Sequence, residues 1–170
     1  MFGIRRKKLI SYEDVVLDAM NDAMAIDIRS SEAFEACTLN TLEAVAALYW
    51  MVEFSFSNLP TKKREQAGTL VLDELLAWFS VDYSPGEIAR LVMPVLKKRS
   101  VEYGSSLEAR SSDASNSTLM RTFATIVKNV FAVSEPHVAQ VAGAILLWWQ
   151  PTQQRGKVIF EMDAKGEIAW

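Results

Sequence analysis

The sequence predicts an all-α fold, a single helical bundle with about five to seven helices. Apolar residues recur at three- and four-residue spacing along most of the chain, and serine or proline residues stand where several of these stretches begin. Of the 170 residues, 50% are hydrophobic and 23% are charged, a composition that supports a sizeable core. We therefore expect one domain, with a basic and flexible N-terminus over residues 1–10, the helical bundle over 11–150 and a C-terminal tail over 151–170.

The first helix is predicted to begin at Ser11, a residue type that caps helices by accepting a backbone hydrogen bond. Its outer side carries three aspartates at four-residue spacing, Asp14, Asp18 and Asp22. Residues four apart are neighbours on a helix, so these like charges form an acidic ridge that slightly destabilises the helix. We interpret the ridge as a surface for a basic partner, and an ordinary solvated face is the alternative.

Two longer helices are predicted next. One runs from a cap at Ser30 or Ser31 to about Phe56 and ends before Pro60, because proline disfavours the helical conformation of the residue that precedes it. The other follows Pro60, and its first turn carries three cations that oppose the helix dipole: Lys62, Lys63 and Arg64. Either this helix starts later, or its first turn receives an anion or an acidic surface.

A candidate pocket lies on the first of these two helices. Glu53 follows Tyr49 by four residues and Trp50 by three, so it shares an aromatic side of the helix with them. If that side is buried, the carboxyl has a raised pKa or needs a hydrogen-bonding partner. We take Tyr49, Trp50 and Glu53 as the candidate lining of a ligand pocket, which further tryptophans would complete: Trp78, Trp148 and Trp149.

The clearest helix start is the sequence SPGE that begins at Ser84. The serine can cap the helix, the proline occupies the first helical position, and Glu87 can reach back to the cap. Pro94 lacks an amide hydrogen and is expected to kink or split this helix. Residues 84–99 superficially resemble the opening of a helix-turn-helix, but Pro94 falls where the turn and the recognition helix would form. DNA binding is therefore the less favoured interpretation, and the acidic balance of the chain agrees with this.

The last part of the chain predicts two more helices and a tail with a different period. A serine-rich stretch over residues 105–116 is the candidate linker. The final helix opens at Ser134 and is apolar on every side from Val138 to Trp149, apart from Gln140, so we expect it at the centre of the bundle or against another chain. Within residues 151–170, alternating apolar side chains and Gly166 predict a short hairpin packed on the bundle.

Signatures of catalysis and of cofactor binding are few. One cysteine, Cys37, and one histidine, His137, exclude a disulfide scaffold and a Cys/His metal module. The seven glycines form no phosphate-binding loop. Cys37 and His137 as nucleophile and base is a weaker interpretation than a small core cysteine and a surface histidine. We therefore assign no catalytic residue, no cofactor and no metal.

Charge is segregated along the chain. The formal net charge is −3, yet residues 11–57 hold nine acidic residues and only one basic residue, Arg29. Either basic clusters elsewhere in the chain neutralise these acidic helices within the fold or oligomer, or the acidic surface is offered to a basic partner. On the second interpretation we expect a non-enzymatic protein-interaction or regulatory factor, of the adaptor, inhibitor, immunity or chaperone-like kind, that acts through acidic helical surfaces. The alternative is a small-ligand binder or an enzyme with an aromatic pocket around Glu53.

The expected location is the cytoplasm. The cations at residues 5–8 are followed by only two apolar residues before a polar stretch, whereas a secretory signal needs a longer apolar run. This basic N-terminus is expected to make at most transient contact with an anionic membrane surface. The many aromatic residues and the apolar final helix predict a homodimer.

Overall fold

The computed structural model describes residues 9–25, 39–108, 115–131, 133 and 135–170. In chain order the helices are α1 (Tyr12–Met24), α2 (Thr41–Ser55), α3 (Thr61–Phe79), α4 (Pro85–Glu87), α5 (Met93–Glu108), α6 (Ser115–Val130), α7 (Glu135–Ala144) and α8 (Leu146–Ala164). A π-helical turn over Ile88–Val92 joins α4 to α5, and two short strands, β1 (Ile10–Ser11) and β2 (Ile168–Ala169), pair with each other. The predicted all-α fold is confirmed.

Two helix starts follow the local sequence as predicted. Ser11 caps α1, and its hydroxyl oxygen accepts a hydrogen bond from the backbone N–H of Glu13 at 3.2 Å. At α4, the backbone N–H of Ser84 donates to the Glu87 carboxylate at 2.9 Å, and the Glu87 N–H donates to the Ser84 hydroxyl at 3.4 Å. The hydrogen bonds from Ser84 hold the pKa of Glu87 below its usual value. Both helices therefore begin where a side chain satisfies an N–H group of the first turn.

The second predicted helix is not continuous from Ser30 or Ser31, two residues that lie outside the described ranges. The cap of α2 is Asn40, which has an extended backbone and whose side chain accepts a hydrogen bond from the Glu43 N–H at 3.2 Å. The Asn40 N–H donates to the Val130 carbonyl oxygen at 2.8 Å. The expected continuity up to Phe56 was therefore wrong, because a contact with the end of α6 holds the chain extended just before α2.

The helix after Pro60 begins at once, so its three cations do lie in the first turn of α3. One of them, Lys63, forms an ion pair with the carboxylate of Asp163 at the end of α8, and its ammonium lies 5.4 Å from the centre of the Trp170 ring. The Trp170 indole N–H donates to the same carboxylate at 2.8 Å. An acidic group, Asp163, therefore pairs with the first turn of α3, and it belongs to the same chain.

The irregularity expected at Pro94 lies in the turn before it. The backbone over Ile88–Val92 is π-helical, and the Met93 N–H donates to the carbonyl oxygen of Ile88, five residues earlier. The longer turn accommodates the missing proline N–H, and α5 continues to Glu108. The first part of the serine-rich stretch is therefore helical, and residues 109–114 lie outside the described ranges.

Helix α8 extends over most of the predicted tail. Pro151 was expected to end the helical part, yet it lies inside α8. A proline removes one N–H donor from the helix. Beside it, the buried Thr152 hydroxyl donates to the carbonyl oxygens of Trp148, at 3.0 Å, and Trp149, at 2.8 Å. This side chain thus supplies hydrogen bonds to the backbone of the turn that contains the proline.

The C-terminal hairpin predicted within residues 151–170 was wrong. The segment predicted as the first strand of the hairpin is the end of α8. After a turn that contains Gly166, at a φ of +63°, the chain enters β2. Strand β2 pairs with β1 in parallel, with Ile168 opposite Ile10, and the Ile10 N–H donates to the Glu167 carbonyl oxygen at 3.0 Å. The tail therefore pairs with a strand that precedes α1.

Two clusters of buried side chains form the core, and α2 contributes to both. One contains aromatic residues from α2, α5 and α6, among them Trp50, Tyr103 and Phe123. The other joins α1 to α3 and includes Val16 and Val71. Within the described part of the chain, no helix combines the length and the apolar character that crossing a bilayer requires.

Candidate functional site

A cleft of about 400 Å³ lies between α2 and α3, and we call it the α2–α3 cleft. Helix α2 contributes Tyr49 and Glu53, which are one turn apart. Helix α3 contributes side chains from successive turns: Arg64, Glu65, Gly68, Thr69 and Leu72. The neighbouring row of α3, along Ala67 and Val71, is buried in the core. The cleft is therefore held between two helices whose packing fixes its walls.

Glu53 is the distinctive group of the α2–α3 cleft. Its carboxyl is half-buried, and burial raises its pKa above the usual value of 4.5, while the positive charge of Arg64 acts in the opposite direction. Among the described residues, no side chain forms a hydrogen bond or an ion pair with it. A Cβ atom at Gly68 would lie 3.9 Å from the Glu53 Oε1 atom, so the glycine keeps the space beside the carboxyl open. The cleft thus holds a carboxyl group that is partly dehydrated and unpaired.

Tyr49 places a hydroxyl group in the same cleft. Burial, together with the nearby charge of Glu53, raises the pKa of Tyr49 to about 12. The hydroxyl is therefore protonated at neutral pH and can both donate and accept a hydrogen bond. A carboxylate and a phenol side by side are suited to bind a group that carries N–H donors.

The tryptophans predicted to complete the pocket lie elsewhere. Trp50 is only 3% exposed and belongs to the aromatic core, where its ring centre lies 5.4 Å from that of Tyr103 and 5.7 Å from that of Trp149. Trp148 is buried as well, and Trp78 is exposed on α3, where its indole N–H donates to Glu74 at 3.2 Å. The prediction therefore assigned residues from two different faces of α2 to one pocket, although one face lines the cleft and the other lines the core.

Sequence analysis missed the α3 wall of the cleft. Arg64, Gly68 and Leu72 recur every four residues, beside the buried row that contains Ala67 and Val71. This spacing predicts that the three residues share one flank of α3, so the sequence did contain a usable signal for this wall of the cleft. Which other helix faces that flank depends on how α2 and α3 pack.

A second cleft, of about 320 Å³, lies on the other flank of α3. We call it the α1–α3 cleft, because Tyr12 of α1 lines it together with α3 residues: Lys62, Glu65, Gln66, Thr69, Leu70 and Asp73. Glu65 and Thr69 therefore line both clefts. The ring of Tyr12 stacks on that of Trp170, with centres 5.4 Å apart and planes 14° apart, which fixes the α1 side of this cleft.

The fold divides the acidic ridge of α1. Asp14 and Asp18 are exposed, and in the described part of the chain neither of them forms an ion pair. Asp22 is exposed too, but Arg155 of α8 pairs with it. Two of the three predicted partner-binding aspartates are thus open to a partner, while the third helps to attach α1 to α8.

Neither a metal site nor a nucleophilic centre is found among the described residues. The described residues contain no group of three or more His, Cys, Asp or Glu side chains arranged to hold a metal ion. Cys37 and the side chain of His137 lie outside the described part of the structure, so their interpretation as a dyad stays a hypothesis. The α2–α3 cleft is the candidate site that the described residues define best.

Replacing Glu53 by glutamine is expected to stabilise the fold at neutral pH. Because the pKa of Glu53 is raised on folding, the folded chain binds its proton more tightly than the unfolded chain, and the ionised carboxylate destabilises the fold. This destabilising effect is absent below the usual pKa of 4.5 and grows as the pH rises through the raised pKa. The gain from Glu53→Gln should therefore be present at pH 7 and vanish toward pH 3.

The measurement is the free energy of unfolding by urea at both pH values. Asp82→Asn, an exposed change in the loop after α3, controls for the loss of one negative charge. A Glu53→Gln protein that is less stable than the wild type at pH 7 would contradict the raised pKa and indicate a stabilising role for the carboxylate.

Comparison with known proteins gives no relative: no family model matches the chain, and no curated protein or solved structure matches it significantly.

Proposed function

We propose that this chain is a non-enzymatic protein-interaction or regulatory factor that recognises a positively charged side chain of a basic protein partner in the α2–α3 cleft. The observation that carries the proposal is the half-buried carboxyl of Glu53 on the cleft wall, which has no ion-pair partner among the described residues. We also infer a cytoplasmic setting, on the ground that a single cysteine cannot form an internal disulfide.

The charge of the cleft favours a cation. Glu53 and Glu65 contribute two carboxylates and Arg64 one guanidinium, so the lining carries one net negative charge at neutral pH. A lysine or arginine side chain that enters would make a charge-assisted hydrogen bond with Glu53, which costs less to form where the carboxylate is already partly dehydrated. Leu72 offers apolar contact to the methylene stem of such a side chain.

The α1 ridge adds a long-range contribution to this proposal. Asp14 and Asp18 are exposed and unpaired in the described part of the chain, so their charges reach solvent. Charges of this kind raise the rate of association with a basic partner more than they raise affinity. We therefore assign them to steering, and Glu53 to recognition.

A small-ligand binder or an enzyme is the second candidate. One observation favours it: Tyr49 and Glu53 line the same cleft, and burial raises the pKa of both. Groups with shifted pKa values that share a cleft are typical of sites that bind or transfer a proton. Binding of free arginine as tightly as of arginine within a peptide would favour this second candidate.

The test of the main proposal uses a defined peptide. An acetylated and amidated glycine–serine peptide with one central arginine is titrated into the isotope-labelled protein, and the same peptide with citrulline, which is uncharged and of similar shape, is the control. We expect amide chemical shifts to change at Gly68 and Thr69 with arginine only. Glu53→Gln should weaken this binding at least about tenfold, the loss of one charge-assisted hydrogen bond, whereas Asp82→Asn should keep it.

Two outcomes would contradict the proposal. Equal binding of the citrulline peptide would show that the cleft does not recognise positive charge. Full binding to the Glu53→Gln protein would show that another group recognises the arginine. Because Glu53→Gln is expected to be at least as stable as the wild type, loss of binding by this variant cannot be attributed to unfolding.

A further inference from the structure

Helix α3 forms an exposed crest between the two clefts. Glu65 and Thr69 are exposed and lie one turn apart on this crest, and both line the α2–α3 cleft and the α1–α3 cleft. The α2–α3 cleft descends on the flank that carries Arg64 and Gly68. The α1–α3 cleft descends on the opposite flank. One helix therefore separates two concave sites that share a wall.

The two clefts carry the same balance of charge. The α2–α3 cleft is lined by Glu53, Glu65 and Arg64. The α1–α3 cleft is lined by Glu65, Asp73 and Lys62. Glu65 is common to both linings, so the two clefts together hold three carboxylates and two cations. In the described part of the chain Asp73 and Glu65, like Glu53, form no ion pair. Each cleft therefore has one carboxylate of its own, Glu53 or Asp73, that can meet a cationic side chain.

We propose that the two clefts form one bipartite site, in which an extended segment of a basic protein crosses the crest of α3 and places one cationic side chain in each cleft. This inference rests on the proposed function of the α2–α3 cleft, and it adds the α1–α3 cleft and the spacing of the charges in the partner.

The dimensions of the crest determine that spacing. A helix with its side chains is about 10 to 12 Å across. In an extended peptide, residues separated by an even number of positions point to the same side, and residues four apart are about 13 Å from each other. Two arginines or lysines at positions i and i+4 therefore span the crest, while adjacent ones point to opposite sides of the peptide and are too close together.

Two linked contacts bind more tightly than one. Once the first cation is bound, the second is held near its cleft by the peptide, so its binding becomes intramolecular. We expect a peptide with arginines at i and i+4 to bind about tenfold more tightly than the peptide with one arginine. Citrulline at either position should abolish the gain.

The experiment combines these peptides with variants in each cleft. Affinities are measured for the two-arginine peptide, its two single-citrulline versions and a peptide with adjacent arginines, at constant ionic strength. Asp73→Asn should lower the affinity for the i, i+4 peptide to the level of the one-arginine peptide. Asp82→Asn makes the same charge change outside both clefts and should leave the tenfold gain intact.

The outcomes separate this inference from the proposed function. If no peptide binds, both fail. If the one-arginine peptide binds with the expected dependence on Glu53, but the second arginine adds nothing or Asp73→Asn has no effect, the bipartite site is overturned and the single-cleft function stands. An equal gain from adjacent arginines would also overturn it, because net charge alone would then explain the affinity.

Discussion

Replacing Gly156 by alanine is expected to destabilise the protein by about 3 kcal/mol, one of the two largest effects we expect from a single change. Gly156 lies on α8 where this helix crosses α2. A Cβ atom at this position would lie 2.3 Å from the carbonyl oxygen of Ser55 and 2.7 Å from its Cβ atom. The oxygen belongs to the backbone of α2, so a rotamer change cannot relieve the contact and the two helices must move apart.

Chemical denaturation of the variant and the wild type measures this effect. Gly104→Ala is the matched control, because Gly104 lies inside α5 and no atom would lie within 4 Å of the added Cβ. Alanine is the better helix former, so this change should stabilise the protein by about 0.5 to 1 kcal/mol. A Gly156→Ala protein as stable as the wild type would mean that α2 and α8 are not in close contact.

Arg99→Met is expected to cost about 3 kcal/mol, because it leaves the largely buried carboxylate of Glu43 without its partner. Arg99 of α5 donates from Nε and Nη2 to both oxygens of Glu43 of α2, at 2.6 and 2.7 Å. It also pairs with Glu102, and the Glu43 and Arg99 side chains are only 14% and 12% exposed. Hydrogen bonds from Arg99 to these carboxylates raise its own pKa, so the guanidinium stays charged at any pH of interest.

The control for Arg99→Met is an exposed ion pair. Arg155→Met breaks the pair with Asp22, in which both side chains are 49% exposed, and should cost at most about 1 kcal/mol. The double variant Arg99→Met with Glu43→Leu should regain much of the lost stability, since no carboxylate then remains buried at position 43. An Arg99→Met protein that loses no more stability than Arg155→Met would show that the network is solvated and contributes little.

About half of the candidate site could be predicted from the sequence. Glu53 could be predicted because this charged residue stands one turn from aromatic residues. Its carboxyl does line a cleft beside Tyr49. Trp50 was assigned to the same pocket, because adjacent helical positions differ by about 100° and a short sequence does not say which one faces the core. The α3 residues that line the cleft with Glu53, Arg64 and Gly68, could be placed on a common flank of α3 but not opposite α2.

Local signals alone determined the starts of α1 and α4. The cap at Ser11 and the reciprocal hydrogen bonds of Ser84 and Glu87 join residues no more than three positions apart, so the sequence of each segment is sufficient to specify them. The apolar periodicity likewise determined that the fold is all-α, because helices with one apolar side must pack against each other.

Only the tertiary structure decided the features that join distant segments. Asn40 begins α2 because its N–H reaches Val130, and β2 is a strand because Ile168 meets Ile10. The alternating tail before β2 became helix because packing of α8 on α2 outweighs a weak local strand preference. Such contacts depend on which surfaces meet once the helices pack, and no local pattern contains that information.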